Sequence, residues 1–153
     1  RSHAGQPAFP GGAVDDGDAD AAGAALRELQ EETGLDPAGV LVFGALPDLW
    51  VPVTNFVVTP VLGWWREPSP VRAQDPAEVS SVHRVLIADL VDPANRCRVR
   101  HPSGYIGPGF EVHGLLVWGF TAQVLAVLFE RLGWARPWDE DRFVDLPVEG
   151  TTP

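Results

Sequence analysis

Residues 9–35 read FPGGAVDDGDADAAGAALRELQEETGL, and this stretch decides most of what the sequence predicts. Small and apolar residues in its second half recur at intervals of three and four, as on one face of a helix: Ala22, Ala25, Leu26 and Leu29. The spacing predicts an amphipathic helix of about four turns. It should end at Gly34, because glycine readily adopts the left-handed backbone that closes helices. Asp18 or Asp20 can cap its start, since a short side-chain oxygen accepts a free backbone N–H there.

The other face of this helix carries three carboxylates at helical spacing, those of Glu28, Glu31 and Glu32. Each like-charge pair at this spacing costs a few tenths of a kcal/mol, and the last helical turn is already the negative end of the dipole. Arg27 can pair with Glu31 one turn further on, but one guanidinium does not balance three carboxylates. A divalent cation would, because Mg²⁺ and Mn²⁺ prefer carboxylate oxygens. The alternative interpretation is an ordinary solvated acidic face.

A glycine turn precedes the helix at Pro10, Gly11 and Gly12. Glycine lets the backbone approach a neighbour closely, so the carbonyl and N–H groups of this turn can meet a metal or a phosphate. The turn and the acidic helix therefore form two halves of one candidate site.

Together these halves resemble the Nudix box, the signature of hydrolases that cleave a nucleoside diphosphate linked to another group. The run RELQEETGL at 27–35 matches the box at every defined position, and Gly12 matches its first half. The first half departs twice. Asp18 stands where glutamate is usual, and one extra residue separates it from Arg27.

A narrower resemblance, to the coenzyme A diphosphatases of this family, rests on segments outside the box. The end of their motif is matched by Arg1, Gly5, Phe9, Pro10, Gly11 and Gly12. Residues 54–61 resemble their central-sheet segment, and residues 117–122 resemble their closing-helix motif. The upstream half of the motif is absent and the chain starts without methionine, so we expect a fragment that lacks amino-terminal residues.

The resemblance implies an α/β/α Nudix sandwich, in which a mixed sheet lies between the box helix and a helix beginning near Trp118. The domain would span residues 1–134, and a Pro- and acid-rich tail at 135–153 would follow without regular structure. The sequence itself predicts the intervening elements. They are a strand at 39–46, one long bent strand at 49–65 or two strands broken near Pro52 and again at Pro60, a strand at 78–86 and a helical turn at 88–91.

By the same resemblance, Mg²⁺ or Mn²⁺ would bind the carboxylates of Glu28, Glu31 and Glu32 and the backbone carbonyl of Gly12. Glu31 and Glu32 would serve catalysis, and Arg27 would orient the carboxylates. The role of Asp18 is left open between metal binding and ordering of the loop or the helix start.

Most candidates for the general base and for the substrate contacts lie outside these residues. The candidate bases are Glu31, Glu78 and Glu111. The candidate substrate-binding residues are Arg1, Arg98 and Arg100. Arg98 and Arg100 alternate with Arg96 on one strand face, where they could bind a substrate phosphate or simply balance the acidic surface.

The implied enzyme hydrolyses a phosphoanhydride bond in coenzyme A or an acyl derivative, giving 3′,5′-ADP and 4′-phosphopantetheine. The alternatives are a Nudix hydrolase of ADP-ribose or NADH, and a non-catalytic module that senses a nucleotide. The expected partners are a small nucleotide substrate resembling coenzyme A and, in a homodimer, a second copy of the chain.

The composition limits the possible partners and the location of the protein. The chain has 153 residues and a net charge of −10, which argues against a nucleic-acid groove or an anionic membrane surface as partner, since both need clustered Lys and Arg. No apolar run approaches the roughly 20 residues of a membrane span. Cys97 is the only cysteine, which excludes an internal disulfide and predicts a reducing, cytoplasmic location.

Overall fold

The computed structural model describes residues 6–51, 54–77 and 79–147. The chain divides into two compact units. We call Phe9–His83 the box unit, and Arg84–Pro153 together with Arg1–Ala8 the carboxyl-terminal unit. Two predicted site residues, Arg1 and Glu78, lie outside the described residues.

In the box unit, helix α1 spans Ala21–Thr33 and confirms the predicted helix. Its N-cap is Asp20, whose Oδ1 accepts the N–H of Gly23 at 2.8 Å. It ends as expected at Gly34, which has a φ of 68° and donates its N–H to the carbonyl of Gln30.

The end of α1 is tied to a later segment of the same unit. The carbonyls of Glu32 and Thr33 accept the N–H groups of Gln74 and Arg72 at 3.2 and 2.9 Å. A helix leaves its last carbonyls without hydrogen-bond partners inside the helix. These two bonds supply such partners from residues 72 and 74.

Four short strands follow α1 in the described part of the box unit. Strand β1, Val40–Ala45, pairs antiparallel with β4, Val61–Trp65, and the pairing has an irregularity between Val42 and Gly44. Strand β2, Leu49–Val51, pairs antiparallel with β3, Phe56–Val58. The described part of the region 49–65 holds three strands, because residues 49–51 pair back onto residues 56–58. The break at Pro60, between β3 and β4, agrees with the second of the two interpretations.

The prediction of a strand at 78–86 was wrong for its described part, because residues 79–86 contain no strand. The N–H of Val79 turns back to the carbonyl of Asp75 at 2.9 Å. The Ser81 Oγ and His83 Nε2 atoms lie 2.8 Å apart. Short polar side chains that bond locally compete with strand pairing in this way.

The carboxyl-terminal unit is built on a four-stranded mixed sheet of order β7-β6-β5-β8. Strand β5, Arg96–Arg100, pairs antiparallel with β6, Ile106–Val112, which pairs antiparallel with β7, Leu115–Val117. On its other side β5 pairs in parallel with β8, Phe143–Asp145. The alternating arginines therefore lie on a central strand.

Two helices belong to this unit. Helix α2, Ile87–Leu90, confirms the predicted helical turn to within one residue. Helix α3, Gly119–Arg131, begins directly after Trp118 as predicted. Its Phe129 meets Phe110 of β6 edge to face, with ring centroids 6.1 Å apart. Both rings are fully buried and anchor the core of the unit.

The expectation that residues 135–153 lack regular structure was wrong, because β8 lies within them. The pairing of β8 with β5 is extended on both sides. The N–H of Arg98 donates to the carbonyl of Arg142 at 2.8 Å, and the N–H of Leu146 donates to the carbonyl of Arg100 at 2.9 Å. The open edge of β5 supplies the hydrogen bonds that this polar segment could not make by itself. The domain boundary predicted at 134 stays a prediction.

None of the helices in the described part of the chain is long and apolar enough to cross a membrane.

Replacement of Gly34 by alanine should lower the free energy of unfolding by at least about 1–2 kcal/mol, the cost of a left-handed backbone in a residue with a Cβ. The added Cβ would also lie only 1.9 Å from Nε2 of Gln74. Urea denaturation measures the change. The control is Gly17→Ala, where nothing lies within 4 Å of the new Cβ. Equal stability of the two variants would contradict the assignment of Gly34 as the helix stop.

Candidate metal-binding and catalytic site

Arg27 lies at the centre of the polar contacts between α1 and the loop before it. Its Nε donates to Oδ1 of Asp18 at 3.1 Å and its Nη2 donates to Oδ2 at 3.0 Å. Nη2 also donates to the carbonyl of Ala13 at 3.0 Å. Two parallel bonds between a guanidinium and a carboxylate are a strong and directional contact. One arginine thus fixes the loop against the helix.

Asp18 is held from two sides. Besides Arg27, it binds the N–H of Asp15 at 2.8 Å through Oδ2, and its side chain is only 7% exposed. The hydrogen bond from Arg27 and then that from the Asp15 N–H hold the pKa of Asp18 below its usual value. These contacts belong to the ordering of the loop, the second of the two roles predicted for Asp18.

The same guanidinium also reaches the acidic face of the helix. Its Nη1 donates to Oε1 of Glu28 at 2.8 Å and to Oε2 of Glu31 at 3.1 Å. The hydrogen bonds with Asp18 and then with Glu28 raise the pKa of Arg27 above its usual value, so the side chain stays cationic. The predicted pair of Arg27 and Glu31 is therefore present, and Glu28 shares it.

Gly12 and Glu28 bring the two halves of the box together. A Cβ at Gly12 would lie 2.1 Å from Oε1 of Glu28, so only glycine allows the backbone to approach this carboxylate so closely. The Glu28 side chain is 17% exposed, whereas that of Glu31 is 59% exposed. The turn thus faces the more protected of these two carboxylates.

The donor set fits a hard divalent cation in its chemistry. It consists of carboxylates within one and a half turns of a helix, with the Gly12 backbone against one of them, and oxygen donors of this kind suit Mg²⁺ and Mn²⁺. Within residues 6–51, 54–77 and 79–147, no three histidine, cysteine or acidic side chains converge closely enough to hold a metal ion. Arg27 is the cation that bridges Glu28 and Glu31 in this conformation.

Three of the other predicted residues, Arg98, Arg100 and Glu111, meet charged partners within the carboxyl-terminal unit. Arg98 forms an ion pair with Glu140. The Nη1 atom of Arg100 lies 3.6 Å from the Oδ1 atom of Asp145. Glu111, a candidate base, is bound by Arg142. Sequence reasoning missed these partners because it gave the segment beyond 134 no structure. The only local signal for it was the apolar pair Phe143 and Val144 among charged residues.

Comparison with known proteins agrees with this arrangement. Residues 1–102 match the NUDIX domain family. The chain is 40% identical over 141 residues to the Nudix hydrolase NudL of Escherichia coli K12, a match that covers 87% of this chain and 70% of that protein. It is 42% identical over 138 residues to NudL of Salmonella paratyphi B, with the same coverage. Both relatives are named as uncharacterized, so their names give the family and no substrate.

The acidic helix, its arginine and the glycine turn lie within the matched residues, and the chain belongs to the Nudix hydrolase family. The expected α/β/α fold class and the expectation of a pyrophosphohydrolase are thereby confirmed, and the alternative of a non-catalytic module is not retained. Nudix hydrolases act on small nucleotide substrates and generally use divalent metal ions.

The bond between Asp18 and Arg27 predicts a specific dependence of stability on pH. Because the folded-state pKa of Asp18 lies below its usual value of 3.8, its carboxylate stabilises the fold above that pH. The contribution should vanish as the pH falls through the lowered folded-state pKa. Urea denaturation of the wild type and Asp18→Asn, from neutral pH into acid, should therefore give curves that converge at low pH.

The control for this measurement is Asp16→Asn, which changes an exposed carboxylate in the same loop. Its difference from the wild type should stay small throughout. An Asp18→Asn deficit that is the same at every pH would show that the Asp18 charge is not what Arg27 binds.

Proposed function

We propose that the protein is a coenzyme A diphosphatase that depends on Mg²⁺ or Mn²⁺. It would cleave coenzyme A or an acyl derivative into 3′,5′-ADP and the (acyl-)4′-phosphopantetheine. The approach of the Gly12 backbone to Glu28, beside the cationic Arg27, is the observation that carries the reaction type. The choice of substrate rests on the motif resemblances at 1–12, 54–61 and 117–122.

In this proposal, the carboxylates of Glu28, Glu31 and Glu32 and the carbonyl of Gly12 hold the metal. The bound ion would neutralise phosphate oxygens and lower the pKa of the attacking water. Arg27 positions Glu28 and Glu31 through the bonds described above. The chain has a net charge of −10, so a pyrophosphate is repelled unless such cations receive it.

Hydrolysis adds one water across the P–O–P bridge. A new bond forms between the water oxygen and one phosphorus, the bond to the bridging oxygen breaks, and a base takes the proton of the water. Glu31 and Glu111 each accept one bond from an arginine, Arg27 and Arg142 respectively. The Glu31 side chain is the more exposed of the two, at 59% against 42%, which favours it over Glu111 as the base, and Glu78 stays a candidate.

The remaining predictions belong to the same proposal. Arg1, Arg98 and Arg100 are the predicted contacts to substrate phosphates. A cytoplasmic location follows from the single cysteine, Cys97, which is buried as a free thiol. A homodimer is a prediction that light scattering would check.

Loss of a proposed metal ligand should abolish turnover of coenzyme A. Glu32→Gln and Glu28→Gln should each lower kcat by at least about 100-fold, since metal stabilisation of the transition state is worth several kcal/mol. The assay supplies coenzyme A, acetyl-coenzyme A, ADP-ribose and NADH with Mg²⁺ or Mn²⁺ and separates the products by chromatography.

The matched control is Glu67→Gln, which changes an exposed glutamate of the same unit that pairs with Arg66. Its turnover should equal that of the wild type. Release of AMP from ADP-ribose or NADH in preference to 3′,5′-ADP from coenzyme A would keep the metal mechanism and overturn the substrate assignment.

Replacement of Gly12 by alanine should weaken Mn²⁺ binding by at least about tenfold, the usual effect of disturbing a ligand's surroundings. The new Cβ would lie 2.1 Å from Oε1 of Glu28 and force that carboxylate to move. Electron paramagnetic resonance of free Mn²⁺ measures the affinity. In the control, Gly11→Ala, nothing lies within 4 Å of the new Cβ. The same Mn²⁺ affinity in both variants would remove Gly12 and Glu28 from the proposed site.

A further inference from the structure

Strands β1 to β4 of the box unit continue one another as a single two-stranded ribbon. Strand β1 pairs with β4, and β2 pairs with β3. Two contacts join these pairings. The N–H of Leu46 donates to the carbonyl of Pro60 at 2.8 Å, and the Thr59 hydroxyl donates to Oδ1 of Asp48 at 2.6 Å. We call the described residues of 40–65 the β-ribbon.

Large apolar side chains of the β-ribbon lie in water. Six of those described are more than half exposed: Leu41, Phe43, Trp50, Phe56, Val57 and Trp64. Phe56 and Val57 are neighbours in one strand, so their side chains point to opposite faces. Because each of them is 65% exposed, both faces of the ribbon are open to solvent at this end.

The exposed residues form apolar pairs across the ribbon. Leu41 lies opposite Trp64, and Trp50 lies opposite Val57. Opposite residues of an antiparallel pair share a face and contact each other. These pairs are therefore patches of apolar surface and not scattered single residues, and exposed patches of this kind mark interaction sites.

The β-ribbon also leaves its edges open. In the described part of the chain, the sheets of β1 with β4 and of β2 with β3 have two strands each. Two strands alone are marginally stable in water, and natural proteins protect open edges with charged residues. The only charged residue among residues 40–65 is Asp48. A partner that covers the β-ribbon would therefore stabilise it.

The charge of the chain favours a second copy as that partner. With a net charge of −10, two copies repel each other at their acidic surfaces but can approach through the nearly uncharged β-ribbon. A basic partner would instead be attracted to the acidic surfaces. A two-fold interface requires a patch that complements itself, and apolar side chains meet this condition.

The exposed area suits a dimer. The four aromatic side chains of the β-ribbon, Phe43, Trp50, Phe56 and Trp64, are 63–65% exposed. Since a buried aromatic side chain removes about 150–250 Å² from water, these four would bury about 400–650 Å² per copy. A stable interface buries about 800 Å² per partner. Leu41, Val57 and flanking residues would supply the remainder.

We propose that the β-ribbon is the interface of a homodimer, in which two copies pack their ribbons against each other about a two-fold axis. The inference gives a surface to the homodimer that is part of the proposed function above. It requires neither the metal site nor the substrate of that proposal.

Sedimentation velocity of the whole chain at increasing concentration tests the interface. The wild type should form a dimer that dissociates on dilution. Trp50→Ala and Trp64→Ala should each weaken dimerisation by at least about 30-fold, the effect of removing a central aromatic residue from an interface. Val57→Glu should give a monomer, because two like charges would then be buried between the copies.

The matched control for Val57→Glu is Leu86→Glu, which makes the same kind of change at a residue of the carboxyl-terminal unit that is 68% exposed. This variant should dimerise like the wild type. Circular dichroism checks folding. If Val57→Glu does not fold, Val57→Thr keeps the branched shape that suits a strand and should still weaken the dimer.

A wild type that stays monomeric at every concentration would overturn the proposal. A dimer that Trp50→Ala, Trp64→Ala and Val57→Glu leave intact would keep the homodimer but assign it to another surface. A monomer that floats with phosphatidylcholine vesicles would make the β-ribbon a membrane contact and overturn the proposal too. The samples contain no metal and no coenzyme A, so these results are independent of whether the chain hydrolyses coenzyme A.

Discussion

The paired bonds between Arg27 and Asp18 are the interaction on which the candidate site depends. Glu28 and Glu31 would repel each other on the surface of one helix, and the guanidinium between them removes that repulsion. Because the same group binds Asp18 and the carbonyl of Ala13, it also fixes the loop that follows the glycine turn. A single side chain thus offsets part of the repulsion on the acidic face and also fixes the loop against the helix.

The acidic face destabilises the helix, and contacts at the end of the helix offset part of that effect. Glu31 and Glu32 lie in the last turn, where the dipole disfavours negative charge. The helix end is secured by Gly34 and by the N–H groups of Arg72 and Gln74, which bind its last carbonyls. The acidic residues of the last turn go against the charge preference of a helix end, whereas the hydrogen bonds of that end are satisfied. A local conflict of this kind is expected at a functional site.

Local signals account for what the sequence predicted correctly. The helix, its stop at Gly34 and the approach of Gly12 to Glu28 depend on residues within one short stretch. The pairing of β8 with β5 was missed, because it joins Arg98 to Phe143 and nothing in either segment encodes the other. The same distance in sequence hid the contact between Glu111 and Arg142. The hairpin of β2 and β3 was missed for a milder reason. The apolar pattern of residues 49–65 predicts one bent strand, or two strands broken near Pro52 and again at Pro60, and it does not show that the first part folds back onto the next.

The arginines of this acidic chain differ in what their burial allows. Arg27 is 26% exposed and binds an Asp18 side chain that is 7% exposed, so neither partner can leave without exposing or stranding a charge. Arg96 is almost fully buried, and its guanidinium lies 4.4 Å from the centroid of the Phe110 ring. The pair of Arg98 and Glu140 is exposed, as is the pair of Arg100 and Asp145, and exposed pairs contribute little to stability. Burial therefore separates the arginines that hold the fold from those whose ion pairs lie at the surface.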